Sequence, residues 1–341
     1  MSQTLYLRLV QIAAQVAVDD NYHDFMYRND VAALRRLVHQ NRDVLAVART
    51  ILGRECRIVL AYEPDFFSKH CENMQHLRSL SIVFSVEGHL AYLEGRWTDA
   101  ARIGLDLLEL ANTTGRGGLL CDHMVGWSIA LSGINSLRRC RTEYDEMTLA
   151  HLLEQLPQIE ANRDSLEAVL ERDRKWEQVA KPLEEPFDPT FLELSAEEAQ
   201  NMSEEEIAAY YEMIDLTLHM PDEDRFAMQL ELENRVIATW RLMTLDTALR
   251  TYRAMTGTFP QQLAELVPGV LPTVPCDPYT ESEFIYRPKW RGIFSRSIKN
   301  FLLYSPGPGQ HDHGGTFGPY PQVALDKADL CLDEPDYWPG D

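Results

Sequence analysis

A chain of 341 residues exceeds the usual span of one compact core, so two domains are expected, and its 45% hydrophobic and 25% charged residues are those of an ordinary globular protein. The formal net charge of −21, with no clustered stripe of lysine and arginine, argues against nucleic acid as a partner and favours basic partners or cations. No stretch supplies the roughly 20 uninterrupted apolar residues of a membrane helix, and the start, MSQTLYLRLVQIAAQVAVDD, lacks the basic head and clean apolar centre of a signal peptide. The expected location is therefore the cytoplasm, or an extracytoplasmic one if an anchor or leader precedes this sequence.

Taken in chain order, residues 30–52 place Val31, Leu34, Val38, Leu45, Ala48 and Leu52 at helical spacing and predict a helix across the segment. A second helix is expected over 69–94, and a third after Gly95. In HLAYLEGRWTDAARIGLDLLELA a helix ends at a glycine, Trp97 and Thr98 make the turn, and Ala100 and Ala101 are small enough for close packing. This resembles a tetratricopeptide-type helical hairpin, present in one copy with no second in clear register. Gly115, Gly117 and Gly118 mark a helix end and loop. The following LLCDHMVGWSIALSGINSLRRC is apolar nearly all round, which predicts a buried helix.

Residues 144–179 are polar but helical in period, with Pro157 expected to kink or interrupt the run. The stretch 181–224 has acidic residues and three early prolines. It reads as a linker with short acidic helices, capped by Ser195 with Glu198 and by Ser203 with Glu206. Its acidic face is either solvated or a dock for a basic partner. From 225 the chain changes character: a helix to about 255, a proline-rich loop, and two or more short strands make an α+β module. The expected fold is thus mainly α, with a helical-hairpin region over 1–180, the acidic linker, and a small α+β module over 225–341 in which a long helix packs on a short antiparallel sheet.

Three blocks in order, LDTALRTYRAMTGTFPQQLAELVP, LPTVPCDPYTESEFIYRP and FLLYSPGPGQHDHGG, resemble the globular part of the major pseudopilins of type II secretion systems. They are similar to those of uncharacterised planctomycete-type bacterial proteins that carry this module behind a helical region. The resemblance spans residues 245–333. It implies that Thr256 to Pro260 end the long helix, that Asp277 and Pro278 start a turn into the first strand, and that Leu303 to Ser305 lead into a loop that holds calcium in the pseudopilins. A pseudopilin also has a prepilin cleavage motif and an apolar helix. The corresponding MQLELENRVIATWR is internal and charged, so filament assembly is not expected.

Three readings of GPGQHDHGG stay open. Asp312 with Asp326, Asp329 and loop carbonyls suits calcium, which takes six to eight oxygens. His311 and His313 beside Asp312 suit zinc, nickel or copper. The third reading is a plain strand-ending loop. A phosphate cradle is disfavoured, because no lysine or following helix is present.

The six cysteines form no C-x-x-C pair, so they are read as buried thiols, or Cys276 and Cys331 as a disulfide. No G-x-S-x-G, H-E-x-x-H or G-x-G-x-x-G is present. His70 with Cys71, Cys121 with His123, and Glu87 with His89 are adjacent or near pairs read as core or surface groups. The function expected is a non-catalytic interaction or scaffold protein, its helical groove binding a protein partner while the C-terminal module docks or caps. A calcium-binding module with structural or regulatory metal is one alternative; an enzyme of unrecognised type is another.

Overall fold

The computed structural model describes residues 2–63, 66–180, 221–288, 300–315 and 329–333. Among them ten α-helices accompany one two-stranded antiparallel sheet near the C-terminus. The chain is mainly α with a small α+β module, as the periodicity predicts.

The first four helices are α1 (Ser2–Ala13), α2 (Tyr22–Tyr27), α3 (Val31–Gln40) and α4 (Arg42–Arg49). The single helix expected over 30–52 is therefore broken at Asn41. That residue is 1% exposed, and its side-chain amide holds both the N–H and the carbonyl of Ala17, at 2.9 and 2.8 Å, and the carbonyl of Leu37. A buried amide with three partners outweighs the one turn of helix it interrupts.

Helix α5 (Phe66–Leu93) ends at Gly95, whose φ of +69° only glycine adopts freely, and α6 (Trp97–Gly115) returns antiparallel to it. Trp97 opens α6 rather than sitting in the turn. Ala100 and Ala101 are buried as expected. From α4, Arg49 reaches Glu87 on α5 and Asp106 on α6, so one guanidinium ties both arms of the hairpin.

The tightest crossing belongs to α6 and α7 (Leu120–Cys140). A Cβ on Gly133 would stand 3.0 Å from the Gly104 carbonyl oxygen, and one on Gly126 equally close to that of Ala111. Residue 104 meets 133, and 111 meets 126, so these helices are antiparallel and α7 runs parallel to α5. Helix α7 is not buried all round: Met124, Ser128 and Asn135 are exposed along one face.

Asp145 and Ser165 cap α8 (Glu146–Ala161) and α9 (Leu166–Val179) through the N–H groups of Thr148 and Ala168. Helix α8 runs through Pro157 without interruption and ends at Asn162. Residues 181–220, with the caps expected at Ser195 and Ser203, lie outside the described residues.

Helix α10 (Asp222–Thr256) packs on α7 and α8; Trp240 is fully buried and donates to the Leu156 carbonyl at 3.0 Å. It stops at Gly257, with φ +81°, as the sequence predicts. A 3-10 turn over Leu263–Leu266 follows. Asp277 then forms the expected turn: its N–H bonds the Ser282 carbonyl and its carboxylate takes the Tyr279 N–H. Strand β1 (Ile285–Pro288) pairs with β2 (Phe301–Tyr304), Ile285 opposite Tyr304 and Pro288 opposite Phe301. Phe284 and Tyr286 both pack on the main core, the alternation expected of one sheet face. That core is continuous from Leu9 through Trp127 and Trp240 to Leu303 and Leu332.

Candidate functional site

The parallel helices α5 and α7 leave a groove between them, partly roofed by α2. Its wider part holds about 420 Å³ and is lined from α5 by Arg78, Ser81, Ile82 and Ser85, and from α7 by Met124, Val125, Ser128, Ile129 and Ser132, with Tyr22, His23 and Met26 above. A narrower part of about 70 Å³ shares Met26, Ser85 and Ser132 and continues past Gly88, Ser136 and Tyr92 to His89 and Arg139. The two hollows therefore form one trough. The residues rise by threes and fours on each helix, which places them on a single face.

Local sequence explains the shape. Serine and glycine at Ser81, Ser85, Gly88, Ser128, Ser132 and Ser136 leave the trough unfilled where leucines would close it. Three of the hydroxyls fold back onto their own helix: Ser81 donates to the Arg78 carbonyl at 2.7 Å, Ser85 to that of Ser81 at 2.9 Å, and Ser132 to that of Ser128 at 3.1 Å. At one end burial raises the Tyr22 hydroxyl pKa, while the nearby Arg78 charge lowers it. At the other end His89 accepts from Arg139 at 3.1 Å and donates to Asn29 at 2.9 Å, and Glu87 is paired with Arg49. Glu87 and His89 are thus separately satisfied, not a couple.

Two buried polar clusters flank the trough. His70 Nε2 lies 2.6 Å from Asp122 Oδ1, with exposures of 2% and 0%, and Asp122 also takes the Leu119 N–H at the start of α7. Glu233 of α10 accepts from Trp127 Nε1 at 2.5 Å and from Arg163 Nη2 at 2.7 Å, with His123 Nε2 3.4 Å away. Burial opposes ionisation of Glu233, but the close approach of His123 and the Arg163 charge overcome it and hold the carboxyl below its ordinary range. The two histidines of the sequence pairs His70–Cys71 and Cys121–His123 therefore find their partners elsewhere, on other helices.

Asp312 and Asp329 converge on one turn of the C-terminal loop. Asp312 accepts from Tyr304 Oη and Arg287 Nη2, each at 2.6 Å, and from the Gly314 N–H at 2.7 Å. Asp329, 1% exposed, takes the N–H groups of His313 and Gly315 at 3.2 and 2.8 Å. Two carboxylates from separate segments thus meet at this turn, and Arg287 on Asp312 opposes a cation there. His311 is exposed and His313 Nδ1 stands 3.6 Å from Asp329. Asp326 lies outside the described residues. Among those described, no three His, Cys, Asp or Glu side chains converge in a metal-binding group.

Of the two readings of the cysteines, the alternative, a disulfide between Cys276 and Cys331, is not formed. Cys276 is an exposed thiol paired through its backbone with Glu283, while Cys331 is buried against the sheet with Leu302 and Tyr304. Burial pushes Cys56 and Cys140 up to about 11; burial and the Asp122 charge push Cys121 up to about 12. Those three are poor nucleophiles near neutral pH. The sequence reading expected a groove on the helical region without placing it, although serines four apart, Ser81 and Ser85 on α5 and Ser128, Ser132 and Ser136 on α7, were its visible trace. Among the described residues no helix is long and apolar enough to cross a membrane. No protein-family model, no curated protein and no solved structure matches the chain.

Proposed function

We propose that this is a non-catalytic interaction protein, whose helical region receives a segment of a protein partner in the trough between α5 and α7. The observation that carries the reading is the trough itself: about 420 Å³ of open space walled by two parallel helices with small side chains. Such a cleft suits a guest side-chain row. The raised thiols at Cys56, Cys121 and Cys140 weigh against a cysteine nucleophile. A capping role for the C-terminal module is supported by Arg138, which donates to the Leu332 carbonyl at 3.0 Å, and by Arg141, which pairs with Asp333. Six cysteines outside any disulfide support a reducing compartment, such as the cytoplasm.

The test is selection of displayed peptides on the full chain, counter-screened on a Ser128→Trp variant that fills the trough. Ser128 is exposed, so the variant should fold. Selected peptides should bind the parent and lose the variant. Peptides that bind both equally, or no selection at all, would overturn the reading.

A second reading, calcium at the C-terminal loop, rests on Asp312 and Asp329 meeting at residues 313–315. Thermal unfolding of metal-stripped protein should then rise with millimolar calcium, and the rise should vanish in Asp312→Ala. No rise in the parent protein removes that reading.

A further inference from the structure

We propose that the guest of the trough is an acidic amphipathic helix; this rests on the docking reading above and adds its chemistry. The wall from Arg78 to Tyr92 rises for about 21 Å at 1.5 Å per residue, the length of about four helical turns. An extended guest would find no free backbone partners there, because the walls are helices whose N–H and carbonyl groups are already paired. A helical guest brings its own hydrogen bonds and needs only side-chain contact.

The floor asks for an apolar stripe. Ile82, Val125 and Ile129 line it, with Met26 facing them from the roof, and the hydroxyls of Ser81, Ser85 and Ser132 are turned onto carbonyls of their own helices. Small side chains along both walls let a third helix approach closely.

Charge selects the rest. The chain carries 53 acidic residues, yet neither part of the trough is lined by one. Arg78 stands at one end and Arg139 at the other. Arg78 is exposed and makes no salt bridge among the described residues. A basic helix would be drawn to many places on a surface of net charge −21, whereas an acidic one is repelled elsewhere and steered here.

The experiment uses a displayed library of amphipathic helices with a fixed leucine face and each polar position drawn from Glu, Gln or Lys. It is selected on the full chain, and winners are re-measured on Arg78→Glu and Ser128→Trp. The proposal expects Glu to dominate the winners, with binding about tenfold weaker on Arg78→Glu, weaker again at high salt, and lost on Ser128→Trp. Winners without Glu enrichment that ignore Arg78→Glu but still lose Ser128→Trp would overturn the acidic guest and leave the docking reading standing. Winners indifferent to Ser128→Trp, or no winners, would overturn both.

Discussion

Replacing Glu233 by Gln tests how α10 is fastened to the helical bundle. The carboxylate side chain is 8% exposed and faces Arg163, itself 10% exposed, at 2.7 Å, with Trp127 Nε1 on the same oxygen. Glutamine keeps the volume and one acceptor but leaves Arg163 as a buried charge without its counterion. Removing one member of such a pair costs about 3–5 kcal/mol. For a large chain each kcal/mol moves the melting midpoint by roughly 2 °C, so a fall of about 6–10 °C is expected. Replacing Glu233 and Arg163 together by Met should recover part of it, because two apolar side chains leave no orphaned charge.

The pH dependence has a definite sign. The folded carboxyl titrates below its ordinary range, so its stabilisation is complete above the unfolded value of about 4.3 and is lost as pH falls through the lower folded value. The gap between parent and Glu233→Gln should therefore be widest near neutrality and close in acid. Thermal melts followed by tryptophan fluorescence at several pH values measure both effects. A midpoint within about 1 °C of the parent at pH 7 would refute the reasoning.

Three further outcomes are expected. Gly133→Val should destabilise by about 1–3 kcal/mol through overpacking, since a Cβ there stands 3.0 Å from backbone, while Gly269→Ala, with nothing within 4 Å, should be near neutral; urea unfolding compares them. Asn41→Ala should cost about 1–3 kcal/mol by stripping both polar groups of Ala17 of their partner, and hydrogen exchange at Ala17 should accelerate. Iodoacetamide at pH 8 should label the exposed Cys276 well before Cys56, Cys121 and Cys140; mass spectrometry reads the order, and early labelling of Cys121 would contradict its raised pKa.

Where the sequence was legible, the cause was local. Gly95 and Gly257 end their helices because a positive φ is a property of the residue itself, and the Asp277 turn is closed by groups within five positions. Where it misled, the cause lay far along the chain. Asn41 breaks a well-patterned helix for the sake of a residue 24 positions away, and nothing in HQNR announces it. Trp127 and Glu233 are separated by 106 positions and His70 and Asp122 by 52, so neither cluster leaves a spacing to read. The serines of the trough were in view, but no periodicity says that α5 and α7 stand side by side. Only the α6 crossing decides that.

The glycine contact between α6 and α7 bears on how the trough can vary. With backbone against backbone at Gly104 and Gly133, α7 has no slack to slide or roll toward its neighbour. At Gly88 an added Cβ would stand 2.8 Å from the Ser136 hydroxyl and 3.4 Å from Ile103, so α5 meets the same stack. The width of the cleft is thus gauged from behind, by hydrogen atoms standing where side chains would be. A single methyl at Gly104 or Gly133 would act as a shim behind α7, shifting that wall without touching a residue that a guest would meet.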